Sequence, residues 1–260
     1  MELEYKEYEK ENAPLMVFLH GGGVSGWMWD EQIKYFSLRY HCIVPDLPAH
    51  GTSQNQHFSI KDSAEKIIEL INLKRSEQPV IVIGFSLGAQ ILVNILSIAP
   101  GLINYAIINS ALTRPMEYSL KLLKPLFKLS FPLTKMRSFA KLQSKVLYIQ
   151  ENQFEHYVKE TTEITFDSFM QVMKENMSFQ VPKKYSSSKS KILVTVGEKE
   201  KKMMHKSAFE LVQKNSNSTG IMIPKVGHGI SLANPNYFNK MLEDWVSMGN
   251  IPENAKLIEQ

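Results

Sequence analysis

Residues Pro79 to Gln90 read PVIVIGFSLGAQ. Positions 80–83 form a run of branched apolar residues too short for a helix, and the run stops at Gly84. Positions 89–98 then resume as an apolar stretch long enough for a buried helix. A strand that turns abruptly into a helix forces its central residue into a strained backbone conformation. The residues two before and two after it crowd together, where a Cβ would clash. Gly84 and Gly88 relieve that crowding, the Ser86 hydroxyl is thrust out at the tip of the turn, and the new helix aims its positive end at the same spot. The competing reading is a glycine-bounded turn with an incidental serine; the strand-then-helix context argues against it.

Working outward, the 260-residue chain is long for one domain, yet α/β architectures of this size commonly form one, so a single domain with an insertion is expected. The composition, 43% hydrophobic and 22% charged, is that of a globular protein, and no apolar stretch approaches the ~18 residues of a membrane span. The first residues, MELEYKEYEKEN, lack the apolar core of a signal peptide, and the lone Cys42 has no internal disulfide partner. A cytoplasmic location is the expectation. Set in an apolar strand, Cys42 reads as a small core residue.

Five further apolar runs share the character of 80–83: positions 15–19, 42–44, 106–108, 192–196 and 221–223, each bounded by Gly, Pro, Asn or Asp. Helical patterns lie between them, for example 61–73, where Ala64, Ile67, Ile68 and Ile71 recur at helical spacing behind an N-cap at Ser59. Continuous rather than alternating hydrophobicity means that both sheet faces are covered. That calls for an α/β fold with a mostly parallel central sheet flanked by helices. Ser186–Ser190 (SSSKS) reads as a short mobile linker.

In such sheets the working site lies beyond the carboxyl ends of the strands. A serine hydroxyl is a poor nucleophile near neutral pH and needs a general base, most economically a histidine oriented by a carboxylate. Of seven histidines only His228 follows the last predicted strand, in the glycine-flanked stretch VGHGI, and it is the candidate base. His20 also ends a strand but directly precedes Gly21, Gly22 and Gly23, and reads as a structural residue holding that loop. The loop after 192–196, GEKEK, offers two carboxylates, Glu198 and Glu200, either of which could also be a solvated charge. Backbone N–H groups in the HGGG loop can approach a developing oxyanion with no side chain in the way.

Taken together, HGGGVSGWMW, PDLPAHGTS, GFSLGAQ, the VGEKE loop and the VGHG loop, in that order, resemble the α/β-hydrolase superfamily. The likeness covers nearly the whole chain and falls in the single-domain, lidded esterase, haloperoxidase-like and C–C-hydrolase branch. The resemblance implies an α/β-hydrolase fold with Ser86 as nucleophile and His228 as base. It implies the N–H groups of Leu87 and Gly22 as oxyanion donors, and an acid three residues past the strand-ending glycine, which selects Glu200. The sequence departs from the pattern in three places. The acid is Glu where relatives mostly have Asp, and Ala49 stands where a glycine is common. The N-terminus has room for one strand, Leu3–Tyr8, so an outer strand seen in relatives is expected to be missing.

The resemblance also implies a helical cap inserted late in the sheet. The expected division is 1–112 and 192–260 for the core domain, with 113–191 as the cap. Pro115, Pro125, Pro132 and Pro182 are expected to break the cap into short helices, whose Leu, Phe and Met residues suit the roof of an apolar pocket. Positions 113–150 carry eight Lys and Arg against one acid, Glu117, a net +7 that leaves the remainder of the +4 chain at −3. Such a basic, apolar segment is either a cap with a solvated outer face or a surface attracted to anionic lipid. The plain cap is favoured because Pro125 and Pro132 interrupt any long amphipathic helix, so membrane contact is not expected. No recognition motif accompanies the charge, so nucleic acid is not an expected partner.

The expected activity is hydrolysis of a small-molecule ester or related acyl substrate through a covalent acyl-enzyme, with no metal or organic cofactor. C–C bond, amide or perhydrolase chemistry on the same residues, or a non-catalytic ligand-binding protein with the same fold, are the alternatives. Neither the oligomeric state nor the preferred acyl chain is legible.

Overall fold

The computed structural model describes residues 3–115 and 117–259, with the backbone alone for 117–123. The elements run β1 (Tyr5–Tyr8), β2 (Leu15–Leu19), α1 (Asp30–Phe36), β3 (His41–Pro45), α2 (Ile60–Lys74), β4 (Val80–Phe85), α3 (Leu87–Ile98) and β5 (Tyr105–Asn109). Four helices follow before the next strand: α4 (Glu117–Thr134), α5 (Arg137–Val146), α6 (Phe154–Glu163) and α7 (Phe166–Ser178). The chain ends with β6 (Lys191–Gly197), α8 (Lys202–Lys214), β7 (Ser218–Ile223), α9 (Ile230–Ala233), α10 (Pro235–Met248) and β8 (Lys256–Ile258).

Eight strands form one sheet in the order β1-β3-β2-β4-β5-β6-β7-β8. The six inner strands are parallel, while β1 and β8 pair antiparallel with β3 and β7 at the two edges. Successive side chains of a strand serve opposite faces, and the two cores divide accordingly. Leu15, Val17 and Leu19 of β2 join one core with Ala64 and Ile71 of α2, Ile91 and Ile95 of α3, and Leu211 of α8. Met16 and Phe18 join the other with Phe36 of α1 and Phe238 and Trp245 of α10. Burial on both faces is what made these strands read as unbroken apolar runs.

The helix expected at 61–73 is α2, and the Ser59 side chain accepts a hydrogen bond from the Asp62 N–H, as an N-cap should. From β2 the chain moves to β3 on one side and then returns to β4 on the other. The crevice above the carboxyl ends of β2 and β4 is therefore the point where ligands enter open α/β sheets.

Two expectations are corrected. Ser186–Ser190 is not a mobile linker: Ser188 and Ser190 are buried, and the Ser190 hydroxyl donates to the Ile103 carbonyl at 2.6 Å. The Asn215 amide donates to the Ser188 carbonyl at 3.2 Å, so this polar stretch is held by hydrogen bonds that composition does not reveal. Pro125 and Pro132 do not break their stretch of chain into short pieces, because both lie inside the 18-residue α4. Seven residues apart, they share one helix face, and both are exposed. The carbonyls left unpaired one turn before each proline therefore face the side where water can satisfy them. One strand was not picked out from sequence: β8, a three-residue edge strand whose sequence, KLI, carries too little signal to stand out.

Candidate active site

Ser86 sits between β4 and α3 with φ 52° and ψ −107°, a left-handed conformation that a side chain rarely adopts. Its N–H donates to the Asn109 carbonyl at 2.9 Å, which ties the strained residue to β5. The crowding inferred for the flanking glycines is present, though not symmetric. A Cβ on Gly84 would come 2.5 Å from the Gly88 carbonyl oxygen, whereas one on Gly88 would meet the Leu19 and His20 carbonyl oxygens of the neighbouring strand at 2.3 and 2.6 Å. Gly84 thus makes room within the turn, and Gly88 makes room for β2.

His228 follows β7 in a loop that reaches back over β4. Its Nε2 lies 3.1 Å from the Ser86 hydroxyl oxygen, and its Nδ1 lies 2.7 Å from Glu200 Oε2. The Phe85 ring packs against the imidazole at 4.8 Å between centroids. The Glu200 side chain is only 2% exposed, against 33% for His228. Its other oxygen accepts from the Ser110 hydroxyl at 2.7 Å and from the Gly197 N–H at 2.9 Å. Burial by itself would push the Glu200 carboxyl up. The bonds and charge of His228, with those from Gly197 and Ser110, outweigh it and hold the group below its ordinary value.

The four residues Ser86, His228, Glu200 and Ser110 therefore form one continuous chain of hydrogen bonds from the ends of β4, β7, β6 and β5. Ser110 was not singled out from sequence. The one available signal was its position at the carboxyl end of β5, beside the strand that carries Ser86. Glu198 takes no part: its carboxylate accepts from Lys225 N–H at 2.9 Å and pairs with Lys256 at 2.7 Å, at the far edge by β8.

Gly22 lies against the first turn of α3, where a Cβ on it would come 3.7 Å from Leu87 Cδ2. The N–H groups of Gly22 and Leu87 have no acceptor among the described residues. Gly21 is the tighter position of that loop, since a Cβ there would meet the Phe85 ring at 2.8 Å. His20 is fully buried; one ring nitrogen is hydrogen-bonded to the Gly21 carbonyl at 2.8 Å and the other accepts from the Leu47 N–H at 2.9 Å. Burial depresses its pKa, so a neutral imidazole clamps the glycine loop to the loop after β3.

The helices between β5 and β6 reach the core at several points. Glu160 of α6 accepts from the Ser25 hydroxyl at 2.5 Å and from the Trp27 indole at 2.9 Å, both in the loop after β2. Glu175 of α7 accepts from the Ile60 N–H at the start of α2. Between these helices and the core lies a cavity of about 190 Å³, lined among others by Gly22, Val24, Ala49, Phe131, Leu147 and Phe169. Ser86 and His228 do not line it; Gly22, which lies against Leu87 next to Ser86, does. His50, which had no assigned setting in the sequence, also lines it, and burial together with the neighbouring His20 pushes its pKa down to about 3. Among the described residues no group of three or more His, Cys, Asp or Glu side chains is arranged to hold a metal ion. No helix among them is long and apolar enough to cross a membrane.

Residues 14–163, more than half of the chain, match the alpha/beta hydrolase fold family, and the protein belongs to that family. Among curated proteins it is similar to the magnesium-chelatase 30 kDa subunit of Rhodobacter capsulatus, 39% identical over 83 residues, which are 31% of this chain and 29% of that one. It is also similar to the pimeloyl-[acyl-carrier protein] methyl ester esterase of Vibrio vulnificus, 30% identical over 80 residues, 30% of this chain and 29% of that one. The matched part of the chain spans less than half the length of these curated relatives. Among solved structures, the enol-lactonase from Burkholderia xenovorans superposes with a TM-score of 0.74 over 94% of this chain and 96% of that one, at 14% identity, a likeness of fold.

Proposed function

We propose that the protein is a serine hydrolase that cleaves small to medium carboxylic esters through a covalent acyl-enzyme. The observation that carries this reading is the unbroken run of hydrogen bonds from the Ser86 hydroxyl through both nitrogens of His228 to the buried Glu200 carboxylate. Ser86 Oγ attacks the ester carbonyl carbon while His228 Nε2 takes its proton. The negative charge that develops on the carbonyl oxygen is met by the N–H groups of Gly22 and Leu87, which have no acceptor among the described residues. The carbon–oxygen bond to the alcohol then breaks, and the departing alkoxide takes the proton from His228. Water repeats the sequence: it gives a proton to His228, attacks the acyl carbon, and the ester bond to Ser86 breaks with return of the proton to Oγ. Glu200, held ionised by its partners, orients the imidazole and stabilises its charged form throughout.

In this reading residues 113–191 act as the cap over the core formed by 1–112 and 192–260. The apolar lining supplied by Phe131, Leu147 and Phe169 suits a modest hydrocarbon group on one side of the ester. The similarity to a methyl ester esterase supports an ester substrate.

The test is labelling with a fluorophosphonate followed by peptide mass spectrometry, together with turnover of p-nitrophenyl esters of increasing chain length. Label is expected on Ser86, and Ser86→Ala should lose both label and turnover, a drop on the order of 10⁶ in kcat. Full turnover by the alanine variant ends the serine-hydrolase reading.

A further inference from the structure

Of the thirteen large apolar side chains exposed among the described residues, six fall between positions 126 and 146. Leu126, Leu129, Leu133 and Met136 follow one another at helical spacing along α4 and its end, and Pro125 and Pro132 lie in the same stripe. Leu129 is 79% exposed, and Val146, with Leu142 on the adjoining α5, is 68% exposed. The stripe is not the packing face of the helix. Phe127 and Phe131 occupy that role, meeting Phe169 and Phe166 of α7 at 5.2–5.8 Å between ring centroids. Among the described residues helix α4 is thus apolar on two sides, and only the Phe127 and Phe131 side is seen to have a partner.

Cations flank the outward side. Lys124, Lys128, Lys141 and Lys145 are exposed and have no acidic partner among the described residues, whereas Arg137 is paired with Glu155 and Lys135 donates to the Thr162 and Ile164 carbonyls. Glu117 and Lys121, also counted in the +7 segment, have side chains outside the described residues.

We propose that the outward face of α4 and α5 docks on the surface of an anionic lipid bilayer. Charge selects the occupant. A segment of net +7 on a remainder of −3 is drawn to a negative surface, and long lysine stems let the apolar stripe sink while the ammonium groups stay at headgroup level. A protein partner is disfavoured by composition: protein interfaces favour aromatic and Arg residues over Lys, and this face is Leu, Met, Pro and Val set among lysines. A second copy would bring two like-charged faces together. The reason for expecting no membrane contact was interruption by Pro125 and Pro132, and α4 runs through both. Phe131 and Thr134 of the same helix line the cavity, so docking would seat the cavity's roof on the bilayer, where acyl-bearing molecules partition.

The test uses the full chain and co-sedimentation with vesicles of phosphatidylcholine alone or mixed with phosphatidylglycerol, over a salt series. Binding to the anionic vesicles is expected to exceed that to neutral ones by ~10-fold or more, and to weaken as salt rises. Lys124→Gln and Lys128→Gln should each weaken it roughly fivefold. The combined Leu126→Ser, Leu129→Ser, Leu133→Ser variant, none of whose positions lines the cavity, should lose it ~10-fold or more while keeping the wild-type melting temperature. Equal binding to neutral and anionic vesicles overturns the proposal, as does undiminished binding by the triple variant. Self-association of the wild type in sedimentation velocity, abolished in the triple variant, would assign the stripe to a second copy and overturn it equally. These readouts do not involve turnover, so they stand apart from the role of Ser86.

Discussion

Glu198 and Glu200, two residues apart in one loop after β6, face opposite ways: Glu200 meets the His228 ring at 2.7 Å, and Glu198 meets Lys256 at the edge of the sheet. If Glu200 orients the imidazole, its neutral amide should remove the charge that stabilises the imidazolium while leaving shape intact. Glu200→Gln is expected to lower kcat by ~10⁴, and Glu198→Gln to leave it nearly unchanged. Steady-state kinetics on both variants, with circular dichroism to verify folding, decides the matter. The reverse ranking would reassign the acid.

Ser110 holds the other oxygen of Glu200 at 2.7 Å and contacts neither His228 nor Ser86 by a hydrogen bond. Ser110→Ala should leave that oxygen with the Gly197 N–H alone, at a cost of about 1–3 kcal/mol in folding stability. Its kcat should fall less than that of Glu200→Gln, since the carboxylate itself survives. Urea unfolding beside kinetics measures both; an unchanged midpoint would show that the bond contributes nothing.

Acid stability should report on the same carboxylate. The folded pKa of Glu200 is held below the ordinary value of 4.5, so below pH 4.5 the unfolded chain binds the proton first. The stability it contributes is fully present above pH 4.5 and is lost as pH falls through the folded pKa. Other acids, Glu7, Asp46 and Glu243 among them, are lowered as well, so the informative quantity is wild type minus Glu200→Gln. That difference in melting temperature should shrink as the solution is acidified below pH 4.5. A difference independent of pH would contradict the assignment.

Glycines of the two loops should respond differently to a methyl group. Gly84→Ala would drive a Cβ to 2.5 Å from a backbone oxygen that cannot step aside, and is expected to cost about 3 kcal/mol or more. Gly22→Ala meets nothing closer than 3.7 Å and should cost under about 1 kcal/mol. Thermal unfolding of the two variants is sufficient, and equal losses would mean that the turn at Ser86 is not sterically closed.

Much of this molecule is written in short-range pattern. Apolar runs of three to five residues between turn residues specify buried parallel strands because both faces of each strand are covered, and burial on both faces leaves no room for polar alternation. The serine turn is local in part: Gly84 answers to crowding against Gly88 and Ala89 within the turn, whereas Gly88 makes room for the carbonyls of Leu19 and His20 on the neighbouring strand. Tertiary structure decided what depends on distant partners. Glu198 and Glu200 have the same chemistry, and only the positions of His228 and Lys256 separate them. Ser110 acquires its hydrogen bond from a carboxylate ninety positions away. The Ser186–Ser190 stretch is polar by composition, yet Ile103 and Asn215 hold it in place. Helix α4 continues through two prolines because both lie on the exposed side, and that orientation is set by Phe127 and Phe131 packing on α7 rather than by anything in the prolines themselves.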